Sequence, residues 1–128
     1  MNRVVLDASA ILAIITGEPG AEKFTPNLLA NAVAGSVNLA EVHAKLVSRG
    51  WPSGQAWEDA TSPAREVISF DEEQARIAGD LVIQTRDLGL SLGDRACLAL
   101  GIALKAPVYT AEKAWKKLKV NMRIYVIR

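Results

Sequence analysis

Short, continuous apolar runs that stop on a polar or small residue and hand over directly to a helical pattern recur along this chain, and that alternation is its strongest constraint on fold. Val4-Val5-Leu6 stops on Asp7, with Asp7 placed to cap a helix over Ala8 to Ile15 that Gly17, Pro19 and Gly20 close. A weaker helix is expected over residues 21 to 31, broken around Pro26. Ala32-Val33-Ala34-Gly35 reads as a second strand, and Ser36 as the cap of a helix from Val37 to Arg49 whose apolar row is Leu39, Val42 and Leu46, beside a polar row of Asn38, Glu41 and Lys45. A helix over 53 to 61, a strand Val67 to Phe70 and a helix opened by Asp71, with Gln74 completing a capping box, come next. Ser91 and Asp94 form the S-x-x-D spacing that opens a helix apolar nearly all round from Ala96 to Leu104. Pro107-Val108-Tyr109 is a fourth strand, Thr110 the cap of a basic helix through Leu118, and Arg123 to Ile127 a fifth strand.

Unalternated runs of three or four apolar residues mark strands buried on both faces, and strands separated by helices require crossover connections. The expected fold is α/β, a three-layer α/β/α arrangement on a mostly parallel sheet of four to five strands, in one domain spanning residues 1–128. A chain of 128 residues with 50% apolar content needs no disulfide or structural metal to fold. The lone Cys97 lies in an apolar run and reads as a small buried hydrophobe, consistent with a cytoplasmic location. No stretch reaches the ~18 to 20 apolar residues of a membrane span, and Asp7 at the head of the first apolar segment is a poor fit to a secretion signal.

In a sheet of this kind the ligand site lies beyond the carboxyl ends of the strands, near a switch point in strand order. Asp7 ends the first strand, and Thr110-Ala111-Glu112 ends the fourth. Asp94 opens the central helix and Glu41 projects from the helix after the second strand. Singly, Asp7 reads equally as an N-cap, Asp94 as part of a capping box and Glu112 as a first-turn acid. Glu41 sits mid-helix where capping gives it no task. Four carboxylates brought together repel unless a cation neutralises them, and a set of oxygen donors suits Mg²⁺. Zinc is disfavoured, since the only His and Cys, His43 and Cys97, lack ligand spacing. A phosphate-binding loop, a nucleophile elbow and a base-stacking aromatic platform are all missing.

These residues fall in an ordered set. Val4-Val5-Leu6-Asp7-Ala8-Ser9-Ala10, Asn38-Leu39-Ala40-Glu41-Val42, Leu90-Ser91-Leu92-Gly93-Asp94-Arg95-Ala96 and Val108-Tyr109-Thr110-Ala111-Glu112-Lys113-Ala114-Trp115 resemble, in order and spacing, the motifs of PIN-domain ribonucleases of the VapC toxin type. The resemblance implies a Mg²⁺- or Mn²⁺-dependent endoribonuclease, with tRNA a plausible substrate, paired with an antitoxin that blocks its site and assembled as a homodimer. By motif, Asp7, Glu41, Asp94 and Glu112 become the catalytic and metal-binding acids, with Ser9 and Thr110 as supporting hydroxyls. The expected reaction is in-line hydrolysis of an RNA phosphodiester by a metal-activated water, leaving a 5′ phosphate and a 3′ hydroxyl. The family commonly has Asp where Glu112 stands; the extra methylene leaves direct coordination, a water-mediated role or exclusion from the site open.

Charge along the chain is uneven. Residues 1 to 104 carry eight Lys and Arg against 13 acids, and residues 105 to 128 carry seven against Glu112 alone. Lys113, Lys116, Lys117, Lys119 and Arg123, with Arg86 and Arg95, are candidates for positioning an RNA backbone, and an ordinary solvated face explains them equally. The competing functions are a structure-specific DNA nuclease and a non-catalytic module that binds a metal or a protein.

Overall fold

The computed structural model describes residues 2–128. Five strands, β1 (Val4–Leu6), β2 (Ala32–Gly35), β3 (Glu66–Ile68), β4 (Val108–Thr110) and β5 (Ile124–Val126), form one sheet in the order β3-β2-β1-β4-β5. Every pairing is parallel. The expected mostly parallel sheet is therefore wholly parallel, and β1 is central.

Alternation along β1 divides the interior in two. Val4 and Leu6 face a core built with Ile11 of helix α1 (Ala8–Thr16), Leu39, Val42 and Leu46 of α3 (Ser36–Ser48), and Ala56 and Ala60 of α4 (Ser53–Thr61). Val5 faces the opposite core, with Ala78 of α5 (Glu72–Asp80) and Cys97, Leu98 and Leu100 of α7 (Leu92–Leu104). Helices thus cover both faces, giving the three layers that the unalternated strands predict. Val5, Leu6, Leu39, Leu46, Leu98 and Leu100 are fully buried, and each such side chain contributes roughly 1.5–3 kcal/mol of transfer free energy. Helix α7 comes close to the sheet at Gly101, where a Cβ would lie 2.7 Å from a Val108 methyl.

Several local expectations need correction. Pro26 opens the short helix α2 (Pro26–Leu29) instead of breaking one, because a proline at the first helical position forfeits an N–H that has no partner there; Thr25 caps it and a 3₁₀ turn, Ala21–Lys23, precedes it. Gly35, not Ser36, precedes α3, and the Ser36 hydroxyl accepts from the Phe70 N–H across the sheet edge. The third strand sits one residue earlier and ends at Ile68, since Ser69 and Phe70 lead into the Asp71 cap. Gln74 does not close a capping box: its amide donates to the Ser69 carbonyl. α5 is followed by α6 (Val82–Thr85) and a 3₁₀ turn, Arg86–Leu88. The basic segment after β4 is a 3₁₀ turn, Lys113–Lys117, not an α-helix, and Thr110 is the last residue of β4, its hydroxyl already engaged as described below.

Among the described residues no helix is long and apolar enough to cross a membrane.

Candidate active site

The strand order changes direction between β1 and β4, and Asp7 sits at that point. Its backbone N–H donates to the Tyr109 carbonyl of β4 at 3.1 Å, so the end of β1 is fixed to its neighbour. As N-cap of α1 its Oδ1 accepts from the Ala10 N–H at 2.8 Å. The cap therefore holds the Asp7 carboxyl at the β1–β4 junction, where the ends of the two strands meet.

Two hydroxyls complete the arrangement. Thr110 Oγ1 donates to Asp7 Oδ2 at 2.6 Å, and Ser9 Oγ lies 2.7 and 3.0 Å from the two carboxylate oxygens. Ser9 accepts from the Ala111 N–H at 2.9 Å, and Thr110 from the Glu112 N–H at 3.0 Å. These bonds bring together residues more than 100 positions apart. Only 4% of Asp7 is exposed. Burial pushes its carboxyl up to about 6; the bonds from Thr110, Ala10 and Ser9 oppose the rise, and the negative charge of Asp94 adds to it.

Asp94 and Glu41 approach from the other side. Asp94 is half-buried in the first turn of α7 and closes the expected capping box with Ser91, each side chain bonding the other's backbone N–H at 3.1 Å. Its second oxygen is outside that box. Glu41 lies over the same turn: its carboxylate accepts from the Asn38 amide at 2.9 Å, and a Cβ on Gly93 would fall 2.3–2.6 Å from its carboxylate atoms. Cys97, one turn further along α7, feels all three acids. Burial drives its thiol well above the ordinary range, and Asp7, Asp94 and Glu41 push in the same direction.

Glu112 is not drawn in. Its side chain is exposed, and its link to the cluster is its backbone N–H. Among the described residues no three His, Cys, Asp or Glu side chains are close enough together to hold an ion as they stand. The donor chemistry nevertheless suits a hard divalent cation: Asp7, Asp94 and Glu41 offer only oxygens, and a buried carboxyl raised partly by a neighbouring acid is what a cation relieves.

The basic candidates divide. Lys113 and Lys116 are exposed on the turn beyond β4, on the same edge as Asp7, and Arg86 is exposed on the turn before α7. Arg95 faces elsewhere, its guanidinium donating to the Ala78 carbonyl at 2.8 Å, because the first turn of α7 packs along α5. A cleft of about 1030 Å³ lies at the opposite ends of the strands, lined by Arg3, Lys105, Pro107 and Arg123, away from all four acids. Two contributors were not singled out in the sequence, Asn38 and Gly93. The signal for Asn38 was its place three residues before Glu41 in one polar row, and Gly93 lay hidden inside a capping box.

The PIN domain family matches residues 4–121, nearly the whole chain. The chain belongs to the PIN domain family. Solved structures share its fold at low identity. The VapBC2 complex of Rickettsia felis, bound to a DNA fragment from its promoter, is 22% identical with a TM-score of 0.73, covering 94% of this chain and 96% of that one. DNA-bound VapBC from Salmonella typhimurium is 15% identical with a TM-score of 0.77 over the full length of both chains. Mycobacterium tuberculosis VapC20, a Sarcin-Ricin loop cleaving toxin, is 13% identical with a TM-score of 0.66, covering 91% of this chain and 96% of that one. A comparison with curated protein sequences finds no match.

Proposed function

We propose that this PIN domain is a divalent-metal-dependent endoribonuclease, the toxin of a toxin–antitoxin pair. The observation that carries the reading is Asp7: a carboxyl at the switch point between β1 and β4, held by three donors, and raised by its burial with a smaller contribution from the charge of Asp94. Asp7, Asp94 and Glu41 would hold Mg²⁺ or Mn²⁺. When bound, the ion supplies charge stabilisation at the phosphodiester and lowers the pKa of the attacking water.

The chain's own residues do the rest. Thr110 and Ser9 fix both oxygens of Asp7, so that it meets a ligand without reorganising. The capping box fixes the start of α7 and leaves one oxygen of Asp94 for the site. Glu112, exposed at the rim, acts on solvent or substrate at the edge of the centre. Lys113 and Lys116 on the turn beyond Glu112 attract the RNA backbone, as does Arg86 at a distance. Water adds to phosphorus, the bond to the 3′ oxygen breaks, and the products are a 5′ phosphate and a 3′ hydroxyl.

The VapBC neighbours support a cognate antitoxin as partner, the resemblance implies a homodimer, and the lone buried Cys97 supports a cytoplasmic site of action. A non-catalytic module is the second reading, and the exposed Glu112 together with the loose spacing of the acids favours it. Cleavage of a mixed panel of tRNA, unstructured RNA and matched DNA by antitoxin-free protein, with Mg²⁺, Mn²⁺ or chelator, separates the nuclease from the binding module. Metal-dependent cutting of RNA that is lost in folded Asp94→Asn is expected. Cutting of DNA in preference to RNA would shift the substrate, and intact nucleic acid throughout would leave the binding module.

A further inference from the structure

We infer that Asn38 is a positioning residue, and that with Gly93 it clamps the Glu41 carboxylate against the first turn of α7; the inference rests on the metal-site reading above. Only 2% of Asn38 is exposed. Its Nδ2 donates to Glu41 Oε1 at 2.9 Å and to the Gly93 carbonyl at 3.1 Å. A backbone carbonyl accepts only, as does an ionised carboxylate, so chemistry fixes which end of the amide faces them. Its Oδ1 is buried without a hydrogen-bond partner among the described residues. Leaving a buried acceptor unpaired is a standing cost that an apolar side chain of the same shape avoids. Packing alone therefore gives no reason for an amide here, whereas two directed N–H groups do.

Gly93 contributes from the other element. The space its side chain would occupy is filled by the Glu41 carboxylate, with the nearest atoms 2.3–2.6 Å from an ideal Cβ. Helix propensity argues against glycine in this turn, since alanine favours a helix interior more. Two devices 55 residues apart thus converge on one carboxylate, immediately beside Asp94. Glu41 is held in place by one bond and a fitted space before a ligand arrives. Partners that orient metal ligands in this way are worth 10- to 100-fold in affinity or activity.

The test uses the whole chain, with Mn²⁺ binding followed by calorimetry and the Asn38 side-chain amide followed by NMR in ion-free protein. In the wild type the amide protons exchange slowly, and in Glu41→Ala their signals move. Asn38→Leu and Asn38→Ala, each checked for a dispersed native spectrum, bind Mn²⁺ 10- to 100-fold more weakly, and so does Gly93→Ala. Adding Asn38→Leu to Glu41→Ala causes no further loss, because the carboxylate it holds is gone; a merely structural residue would weaken both backgrounds alike. Wild-type affinity in the folded Asn38 variants, or losses that multiply in the Glu41→Ala background, overturns the inference while the metal site stands. Failure of the wild type itself to bind Mn²⁺ overturns the metal-site reading and this inference with it, and the wild-type titration alone tells the two failures apart.

Discussion

On the proposed reading, Asp7 is the residue at which folding and function oppose each other. Its carboxyl titrates near 6 in the fold against an ordinary 3.8, so ionising it favours the unfolded chain. Below about pH 3 the group is neutral in both states and costs nothing; the penalty grows as pH rises from there toward 6 and is complete above it, at about 3 kcal/mol. In chelator, Asp7→Asn is therefore expected to stabilise the protein at pH 7.5 by up to about 3 kcal/mol and by no more than about 0.5 kcal/mol at pH 4, read from denaturant midpoints. Added Mn²⁺ should stabilise the wild type and leave Asp7→Asn unmoved. A variant gain that persists unchanged at pH 4 would place its origin outside this ionisation. Thr110 gives the converse case: its fully buried hydroxyl donates to a carboxylate, and Thr110→Val should cost about 1.5–3 kcal/mol, with Thr110→Ser recovering most of it. The position of Asp7 was legible in the sequence because a strand ended on it. The positions of Asn38 and Gly93 were not, because a side chain's partner across 55 residues is set by how α3 packs on α7 and leaves no local pattern.

Elements were legible in proportion to how local their causes are. β1, β2, α1 and α7 carry their own signals: an unbroken apolar run, a cap, a capping box. The segment after β4 does not, since its composition suits an α-helix and Thr110 suits a cap. Tertiary structure spends the Thr110 hydroxyl on Asp7 instead, and the backbone closes into a 3₁₀ turn around the buried Trp115. Helix α7 offers two tests of opposite sign. Lys105 caps its end in the left-handed region with φ 53, a conformation glycine adopts without strain, so Lys105→Gly should raise stability by about 0.5–1 kcal/mol in denaturant titration. Gly101→Ala should lower stability despite alanine's better helix propensity, because the added methyl would press on Val108 at 2.7 Å and on the Ala106 carbonyl at 3.2 Å.

On the scale of the whole molecule the basic C-terminal flank is divided by the sheet. Lys113 and Lys116 stand at the carboxyl edge with the acids, Lys105 and Arg123 line the cleft at the other edge, and Arg128 pairs with Glu18. RNA affinity measured against salt concentration reports which set meets phosphate. Replacing Lys113 and Lys116 by Gln should reduce the logarithmic slope by roughly 1.4, at ~0.7 per single-stranded contact, while replacing Lys105 and Arg123 leaves it unchanged. The sequence displayed the surplus of charge; only the strand order sorts it between two edges.

The pairing of β1 with β4 also has a consequence in time. Asp7 leaves the ribosome well before its partner, and the hydroxyl that holds it is made 103 residues later. No nascent chain shorter than Thr110 can carry a formed centre. For a protein read as a toxin, translation itself acts as a safety catch: on that reading, products terminated before Thr110 lack the bond that holds Asp7 and are inert toward the RNA that encodes them.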